Sequence, residues 1–439
     1  MPFSRVPMFL ACGAKSGVTM YLESVRSGLY MNVKKIEKII VGIFSASIFT
    51  SKPAIYVSSS LFFLYFSYRI ITDAKYRGEV VSDLVIVGSL IVFSIGLISR
   101  LIYFPSLSDI VLFSYKSVFL IVFPALVIAL QDKNNRRLAL VLSASGFILS
   151  MLYSYVQAFF ISPESWDMVR VGGLWDVSRW AEITAMVFAF VLATLPNKTT
   201  VKNRIMQIIF MVMIAISLVL SGGRAGWVAV GFVLIVYVVF INRKSLVGGL
   251  LVFCIVFAVF PYVSGQISPL MQRISSITET TAKDYSNYSR LLMWENGISL
   301  IKDNVLHAPA KFMFGVGFER FNSEYKMYIN KVSNVEVLEK KTAGNYSLTD
   351  LHNSYIDSFN KMGALYTVSF YGYILMLMIV FSNGSNIVNS IILISPFLII
   401  GFFYTNYIEF QTSMFFFIMA MYYSGLQNLK LFDGHKNKY

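Results

Sequence analysis

Residues 205–241 read IMQIIFMVMIAISLVLSGGRAGWVAVGFVLIVYVVFI, two apolar runs joined by a short glycine-rich turn. Each run comes close to the roughly 20 residues that an α-helix needs to cross the hydrocarbon core of a bilayer. Arg224, in the turn, is the single charged residue of the stretch. The stretch therefore predicts two membrane-spanning helices that meet at a tight turn.

Similar apolar runs recur along the whole chain, which is 56% hydrophobic and 14% charged, with a mean hydropathy of +0.65. A soluble globular domain carries roughly 25% charged residues. We therefore predict an all-α fold, a polytopic transmembrane bundle of about 12 spans with one large periplasmic helical loop. The predicted spans are 37–50, 53–72, 81–104, 107–130, 138–161, 177–196, 205–221, 225–241, 246–264, 356–380, 387–405 and 408–427.

The net charge of +14 does not indicate a nucleic-acid partner, because the basic residues are dispersed among the short loops between spans. With about 12 spans, most of them fall on one side, which the positive-inside rule makes cytoplasmic. Both termini lie on that side. The residues of this set are Lys34, Lys35, Lys38, Lys75, Arg77, Lys133, Arg136, Arg137, Lys198, Lys202, Arg204, Arg243, Lys244, Lys430, Lys436 and Lys438.

A basic cluster follows Met31 and directly precedes the first apolar run, so we expect translation of the functional protein to start at Met31.

The predicted spans divide the chain into five parts. The parts are a cytoplasmic N-terminal segment (1–36), a first group of spans (37–264), a periplasmic loop or lid (265–355), a last group of spans (356–427) and a cytoplasmic tail (428–439).

The long polar segment before the last spans does not read as a disordered linker. Helical spacing places Leu291, Trp294, Ile298 and Ile301 on one face. A glycine turn follows at 315–317. We predict a small helical lid that lies on the membrane.

Two arginines in this part of the chain are candidate anion ligands. Arg224 lies at the outer end of two spans, among glycines whose backbone amides could cradle an anion. Arg290 begins the amphipathic helix of the loop, one turn before Trp294. A guanidinium stays charged and can bind phosphate oxygens with two parallel hydrogen bonds. The plainer alternatives are an interfacial arginine that reaches water and a solvated charge on a helix edge.

His352 is the candidate for proton transfer, because its side chain titrates near neutrality where the chain re-enters the bilayer. Asn353 follows it, and nine residues separate Asn353 from Gly363. In a continuous helix Gly363 falls almost on the same face as His352, with Tyr366 close by. The plainer alternative is a histidine at a helix start, with Asn353 as the cap.

Weaker candidates lie at the outer ends of other spans. Arg179 and Glu182 begin one span, and Asn406 and Glu409 lie near the start of the last. Each is as readily explained as an ion pair or a helix cap. With Trp294 and Asn353, the residues Arg179, Glu182 and Glu409 complete the set of candidate substrate-binding residues.

The combination of Arg224, Arg290 and His352-Asn353-x9-Gly363-Ala364-Leu365-Tyr366 resembles the O-antigen ligase family of bacterial inner-membrane glycosyltransferases, which includes related O-antigen polymerases. The architecture resembles that family over 36–427, and the motifs over about 220–370. One departure is Gly223, where relatives often have a small hydroxyl residue before the arginine.

The resemblance implies an enzyme of the inner membrane whose active site faces the periplasm. Arg224 and Arg290 would bind the diphosphate of a polyprenyl-linked glycan donor, and His352 would engage the acceptor hydroxyl or the diphosphate. The acceptor would be lipid A–core or a growing glycan. No cofactor is expected, and no metal either, because two arginines can stabilise the leaving group and the sequence has no Asp-x-Asp pair.

Two alternatives stay open. Within the family, an O-antigen polymerase joins repeat units, whereas a ligase attaches the finished chain; the spacing of the histidine motif favours a ligase. A flippase or transporter of lipid-linked glycan is a function of a different class. Transporters usually show repeats and charges at the middle of the membrane, whereas here the charges lie at the outer interface.

Overall fold

The computed structural model describes residues 33–103, 105–161, 170–195, 200–241, 285–408 and 410–436, and all regular secondary structure in these ranges is helical. In chain order the helices are 33–47 (α1), Lys52–Thr72 (α2), Ala74–Ser82 (α3), Leu84–Ile102 (α4), Leu107–Lys116 (α5), Phe119–Ala129 (α6), Lys133–Val156 (α7), Val177–Ala193 (α8), Val201–Ser221 (α9), Arg224–Phe240 (α10), Tyr285–His307 (α11), Pro309–Phe314 (α12), Phe318–Val332 (α13), Val335–Lys341 (α14), Ser354–Ser382 (α15), Ile387–Gly401 (α16) and Phe410–Lys436 (α17). A π-helical turn, Gln157–Ile161, ends α7.

The described residues include six segments long and apolar enough to cross a membrane, which makes this a multi-pass helical membrane protein. They are Lys52–Thr72, Leu84–Ile102, Leu107–Ala129, Lys133–Ile161, Lys202–Ser221 and Ser354–Ser382, and two shorter apolar helices are Arg224–Phe240 and Ile387–Gly401. Helices also occur at the predicted spans 37–50, 177–196 and 408–427. The predicted span 246–264 and the start of the predicted lid lie outside the described residues, so the count of twelve stays a prediction.

Helix α15 packs against both α4 and α16 within the bundle. Close approach depends on glycine: Gly88 of α4 lies against the ring of Tyr373, and Gly96 lies against Phe113 and Tyr366. Small residues at such contacts let membrane helices approach closely. A second group of contacts joins α8 to α9, α10 and α16.

The helix ends that carry three of the basic loops lie together at one side of the bundle. Arg69 at the end of α2 pairs with Asp73 (2.8 Å) and with Glu37 of α1 (3.5 Å). Asn135 at the start of α7 donates to the other oxygen of Glu37 (3.1 Å). These contacts place the basic residues of α1, α3 and α7 on a common side, as the charge pattern predicts.

The lid, residues 285–351, contains α11 to α14 and has a small core of its own. Met293, Leu300, Phe321, Tyr325 and Ile329 are buried in it. The predicted apolar face of α11 is not the buried one. Leu291 and Ile298 are exposed, and the buried residues are Ser289, Met293, Gly297, Leu300 and Asn304. The reason is the approach of α15: Gly297 lies against Ile356 and Leu351, where a larger side chain would not fit.

The lid joins the bundle through main-chain contacts between its glycine turn, residues 315–317, and the break in α15 at Gly363. Gly315 and Gly317 have positive φ, and the N–H groups of Val316 and Gly317 donate to the carbonyls of Asn360 and Lys361 (3.1 and 2.9 Å). Those carbonyls are available because α15 is broken at Gly363, with φ 80° and ψ 171°. A continuous helix through His352 and Gly363 does not form, because α15 begins only at Ser354 and is broken at Gly363. His352, Gly363 and Tyr366 therefore do not share one helical face.

A buried ion pair between α4 and α5 fixes the lid at the start of α13. Asp109, at the start of α5, accepts hydrogen bonds from the N–H groups of Phe318 (2.7 Å) and Glu319 (3.4 Å), and so caps α13. Arg100 of α4 pairs with Asp109 at 3.4 Å, and both side chains are buried. Gly317 leaves room for the pair, since a Cβ there would lie 2.6 Å from Asp109 Oδ2.

Gly363→Ala is expected to loosen the lid. A Cβ at Gly363 would overlap the main chain of Gly315 and Met313, and a positive φ is strained for any other residue, by about 1–3 kcal/mol. We expect a lower melting temperature in detergent and faster proteolysis within 285–351. Gly372→Ala, in the same helix and with nothing within 4 Å of the added methyl, is the matched control and should behave as wild type. Equal melting temperatures of the two variants would contradict the assigned role of Gly363.

Candidate active site

His352 lies between the lid and the first turn of α15, with its backbone in the left-handed region at φ 49°. A residue other than glycine rarely adopts this conformation, which persists only where the surroundings enforce it. The N–H group of His352 donates to Asp350 Oδ1 at 2.8 Å. The imidazole Nδ1 lies 3.7 Å from Asp350 Oδ2, and 37% of the side chain is exposed. The histidine is thus held in place and still reachable.

The residues on both sides of His352 are tied to the rest of the molecule. Trp294 Nε1 donates to the carbonyl of Leu351 at 3.1 Å. Asn353 caps α15 by accepting from the N–H groups of Tyr355 (3.0 Å) and Ile356 (3.1 Å). Its Nδ2 donates to Phe402 O (3.2 Å). These contacts fix the unusual backbone of His352. Trp294 and Asn353 thus support the conformation of the histidine through the residues next to it.

Two guanidinium groups lie near enough to His352 for their charges to act on it. Arg290 of α11 lies over the ring of Tyr404, with Cζ 5.1 Å from the ring centre. Arg179 of α8 donates to Glu182 Oε1 (2.9 Å) and to the carbonyl of Thr405 (3.3 Å). The positive charge of each arginine acts on His352. The structure therefore brings together Arg179, Glu182, Arg290 and His352, which come from three distant parts of the sequence.

Arg224 is placed by the packing of two helices. It is the first residue of α10, directly after a left-handed turn at Gly222. A Cβ at Gly223 would overlap the methyl of Ala181, and one at Gly226 would lie 2.8 Å from the carbonyl of Ala181. Since Ala181 belongs to the first turns of α8, Arg224 and Arg179 lie at neighbouring helix ends on the side of the bundle that carries the lid. Arg224 is half-buried there.

The charges around His352 favour its neutral form. Burial lowers the pKa of His352 below its ordinary value; Asp350 raises it in part, and the positive charges of Arg290, Arg179 and Lys361 lower it further. Burial would raise the pKa of Asp350, but the charges of His352 and Lys361 and the hydrogen bond from Thr405 hold it below its ordinary range. At neutral pH the imidazole is therefore uncharged and the carboxylate ionised.

Three residues of the site were not predicted from sequence: Asp350, Tyr404 and Thr405. Asp350 stands two residues before His352, a spacing that could have been noticed. Tyr404 and Thr405 belong to the 402–408 loop, which follows α16, and nothing in their sequence distinguishes them. Thr405 Oγ1 donates to Asp350 Oδ1 at 2.5 Å. This loop thus carries the aromatic ring under Arg290 and the hydroxyl that holds Asp350.

The remaining candidates are only partly informative. Asn406 accepts from Ser354 Oγ (2.6 Å) and donates to Phe397 O (2.9 Å), so it ties the 402–408 loop to α15. Glu409 lies outside the described residues. In the described part of the chain, no group of three or more His, Cys, Asp and Glu residues is placed to hold a metal ion. The expectation of a metal-independent reaction stays a prediction.

The arrangement defines a class of protein: a multi-pass helical membrane protein with a cationic site and a histidine at the membrane ends of its helices, next to a helical lid. The family model described as O-antigen ligase matches residues 209–371, from α9 through the lid to the middle of α15. This part of the chain is therefore similar to the O-antigen ligase family, which confirms the resemblance drawn from Arg224, Arg290 and the histidine motif. No curated protein matches the chain.

Proposed function

We propose that this protein is an O-antigen ligase-type glycosyltransferase. It moves a glycan from a polyprenyl (undecaprenyl) diphosphate carrier to a sugar hydroxyl of lipid A–core in lipopolysaccharide biosynthesis. The family match supports an O-antigen ligase- or polymerase-type function in that process. The observation that carries the specific proposal is the position of His352 under the positive charges of Arg290 and Arg179, where membrane helices meet a lid.

The chemistry of the donor fits these side chains. The acceptor oxygen forms a bond to the anomeric carbon, the bond from that carbon to the diphosphate breaks, and the diphosphate leaves with the electron pair. Arg290 and Arg224 bind the diphosphate and stabilise the negative charge that develops on it. His352 takes up the hydroxyl proton at Nε2. If His352 instead donates to the phosphate, the released diphosphate takes up that proton. Holding donor and acceptor together in one orientation supplies part of the rate enhancement.

The lid is proposed to lie on the periplasmic side of the inner membrane. The basic helix ends of α1, α3 and α7 are on the opposite side of the bundle and support this orientation. Ser333→Cys, at the exposed end of α13, should react with an impermeant thiol reagent in intact cells, after Cys12 and Cys254 are replaced by serine. Ser82→Cys, exposed at the end of α3, should react only after lysis. The reverse pattern would overturn the orientation.

The function is tested with purified protein in vesicles that contain a polyprenyl-diphosphate-linked glycan and lipid A–core. We expect the glycan to appear on lipid A–core, in the presence of a chelator as well as in its absence. Longer lipid-linked glycans, formed without lipid A–core, would instead identify an O-antigen polymerase. Movement of the donor between leaflets without any new glycosidic bond would identify a transporter. His352→Ala protein provides the background rate.

A further inference from the structure

We propose that Asp350 is a positioning residue for His352: its carboxylate holds the imidazole with Nδ1 turned inward, so that Nε2 is the nitrogen that meets the substrate. What Nε2 then does rests on the proposed function. The orientation of the ring does not, because it follows from contacts within the protein. The histidine motif itself does not specify a carboxylate that orients the imidazole.

The geometry supports this assignment through the two oxygens of Asp350. Oδ1 accepts from the N–H group of His352 (2.8 Å) and from Thr405 Oγ1 (2.5 Å). Oδ2 lies 3.7 Å from His352 Nδ1. Contacts of this kind are often long in the free enzyme and shorten when substrate is bound. Because one carboxylate bonds the backbone of His352 and faces its ring, it fixes both at once.

Asp350 is itself held from two directions. Thr405 reaches it from the 402–408 loop, and the charge of Lys361 acts on it from α15. Lys361 is anchored by Asp357 (2.8 Å) and by the carbonyl of Thr349 (2.7 Å). The carboxylate therefore cannot turn freely away from the histidine.

The charged groups that face His352 come from every element packed around it. Arg290 belongs to α11, Arg179 to α8 and Lys361 to α15, and each disfavours the protonated imidazole. The charge of Asp350 acts in the opposite direction and raises the pKa of His352. Asp357 lies deeper, paired with Lys361. When Nε2 takes a proton from the acceptor hydroxyl, the new charge on the ring is therefore stabilised by Asp350 and opposed by the three cations.

The matched control is a second histidine–carboxylate pair in the lid. His307 Nδ1 lies 3.2 Å from Asp303 Oδ1, one turn apart on α11. His307 is exposed and Asp303 partly exposed, and the pair lies at the other end of α11 from Arg290. Asp303→Asn thus removes an identical chemical group without touching the candidate site.

The first experiment is a titration of ¹⁵N-histidine-labelled protein by NMR, in nanodiscs. The chain has three histidines, so the signals can be assigned with His352→Ala and His307→Ala. In wild type we expect neutral His352 to carry its proton on Nδ1. In Asp350→Asn we expect its pKa to fall and the two tautomers to mix, whereas Asp303→Asn should leave His352 unchanged. An unchanged pKa and tautomer in Asp350→Asn would overturn the proposal.

The second experiment measures transfer in the vesicle assay. Asp350→Asn should lower the rate by roughly 10–10²-fold, the range known for carboxylates that orient metal-bound histidines. In a plot of rate against pH, the limb that reports the titration of His352 should move to lower pH. Asp350→Glu should restore part of the rate. If Asp350→Asn does not fold, Thr405→Val keeps the carboxylate, removes its hydrogen bond, and should shift the same limb less. Wild-type rate and limb in every foldable variant would contradict the assignment.

The two readouts separate two kinds of failure. If Asp350→Asn alters the titration of His352 but the wild type transfers no glycan, the proposed function fails and the positioning role stands. If the wild type transfers glycan while Asp350→Asn has a wild-type titration and rate, the positioning role fails and the function stands.

Discussion

Arg290→Ala is expected to abolish glycan transfer while the protein stays folded in the membrane. Loss of one preorganised group that stabilises developing charge typically lowers a rate by about 10²–10³-fold. Arg290→Lys should recover little, since an ammonium cannot present two parallel hydrogen bonds to a diphosphate. It also lacks the planar face with which the guanidinium stacks on Tyr404. Transfer is measured in vesicles, with membrane abundance determined in parallel.

The same result is expected for Arg224→Ala, because Arg224 begins a helix that packs next to the end of α8 carrying Arg179. Arg320→Ala is the control, since Arg320 is an exposed arginine on the lid, in α13. It should transfer at the wild-type rate. Near-normal transfer by Arg290→Ala or Arg224→Ala would remove that arginine from the mechanism.

His352→Ala is expected to lower transfer by roughly 10²–10⁴-fold, the usual contribution of a general base, and lipid-linked glycan should accumulate in cells. Asn353→Ala is the informative comparison, because Asn353 caps α15. Its loss should reduce stability by about 1 kcal/mol. It should lower the rate of each folded molecule far less than His352→Ala does, because the imidazole is retained. The first variant is thus an abundant inactive protein, and the second a scarcer active one. A His352→Ala variant with the wild-type rate would exclude His352 from the reaction.

The pH dependence of transfer distinguishes the two roles of His352. A base acts when neutral, so activity would rise with pH through the pKa of His352 and then level off. A phosphate ligand acts when protonated, so activity would fall through the same pKa. Burial and the nearby cations place that pKa below its ordinary value, so neutral His352 predominates at neutral pH, which favours the base. Rates measured in reconstituted vesicles across this range decide between them.

The helices could be predicted from sequence because hydropathy records burial in lipid directly. The predicted spans in the described residues correspond to helical segments, although 107–130 is divided into α5 and α6. Some boundaries differ, as in α7, which begins at Lys133 because Asp132 caps it there. The face of α11 could not be predicted from its own periodicity. Gly297 and Ser289 are buried because α15 and the lid core approach them, and that approach is a property of the tertiary fold.

Only those residues of the candidate site that stand out by their own charge and position could be predicted from the sequence. Arg290, Arg179 and His352 stand out by charge and position, and the structure brings them together. Tyr404 and Thr405 act through contacts with residues more than fifty positions away, which no local pattern records. Gly363 was noticed for its spacing, but its φ of 80° breaks the helix on which that spacing was interpreted.

The close main-chain contact between Gly315 and Gly363, called the seam below, affects how a saturation mutagenesis experiment on this protein is interpreted. At these two positions every substitution places a Cβ into main-chain atoms, so all nineteen alternatives are expected to be depleted in a selection for surface glycan. Arg290 and His352 would show the same depletion for a chemical reason. Depletion alone therefore does not mark a catalytic position in this chain. A second selection for the amount of protein in the membrane separates them, because variants at the seam lose protein and variants at Arg290 or His352 lose only turnover.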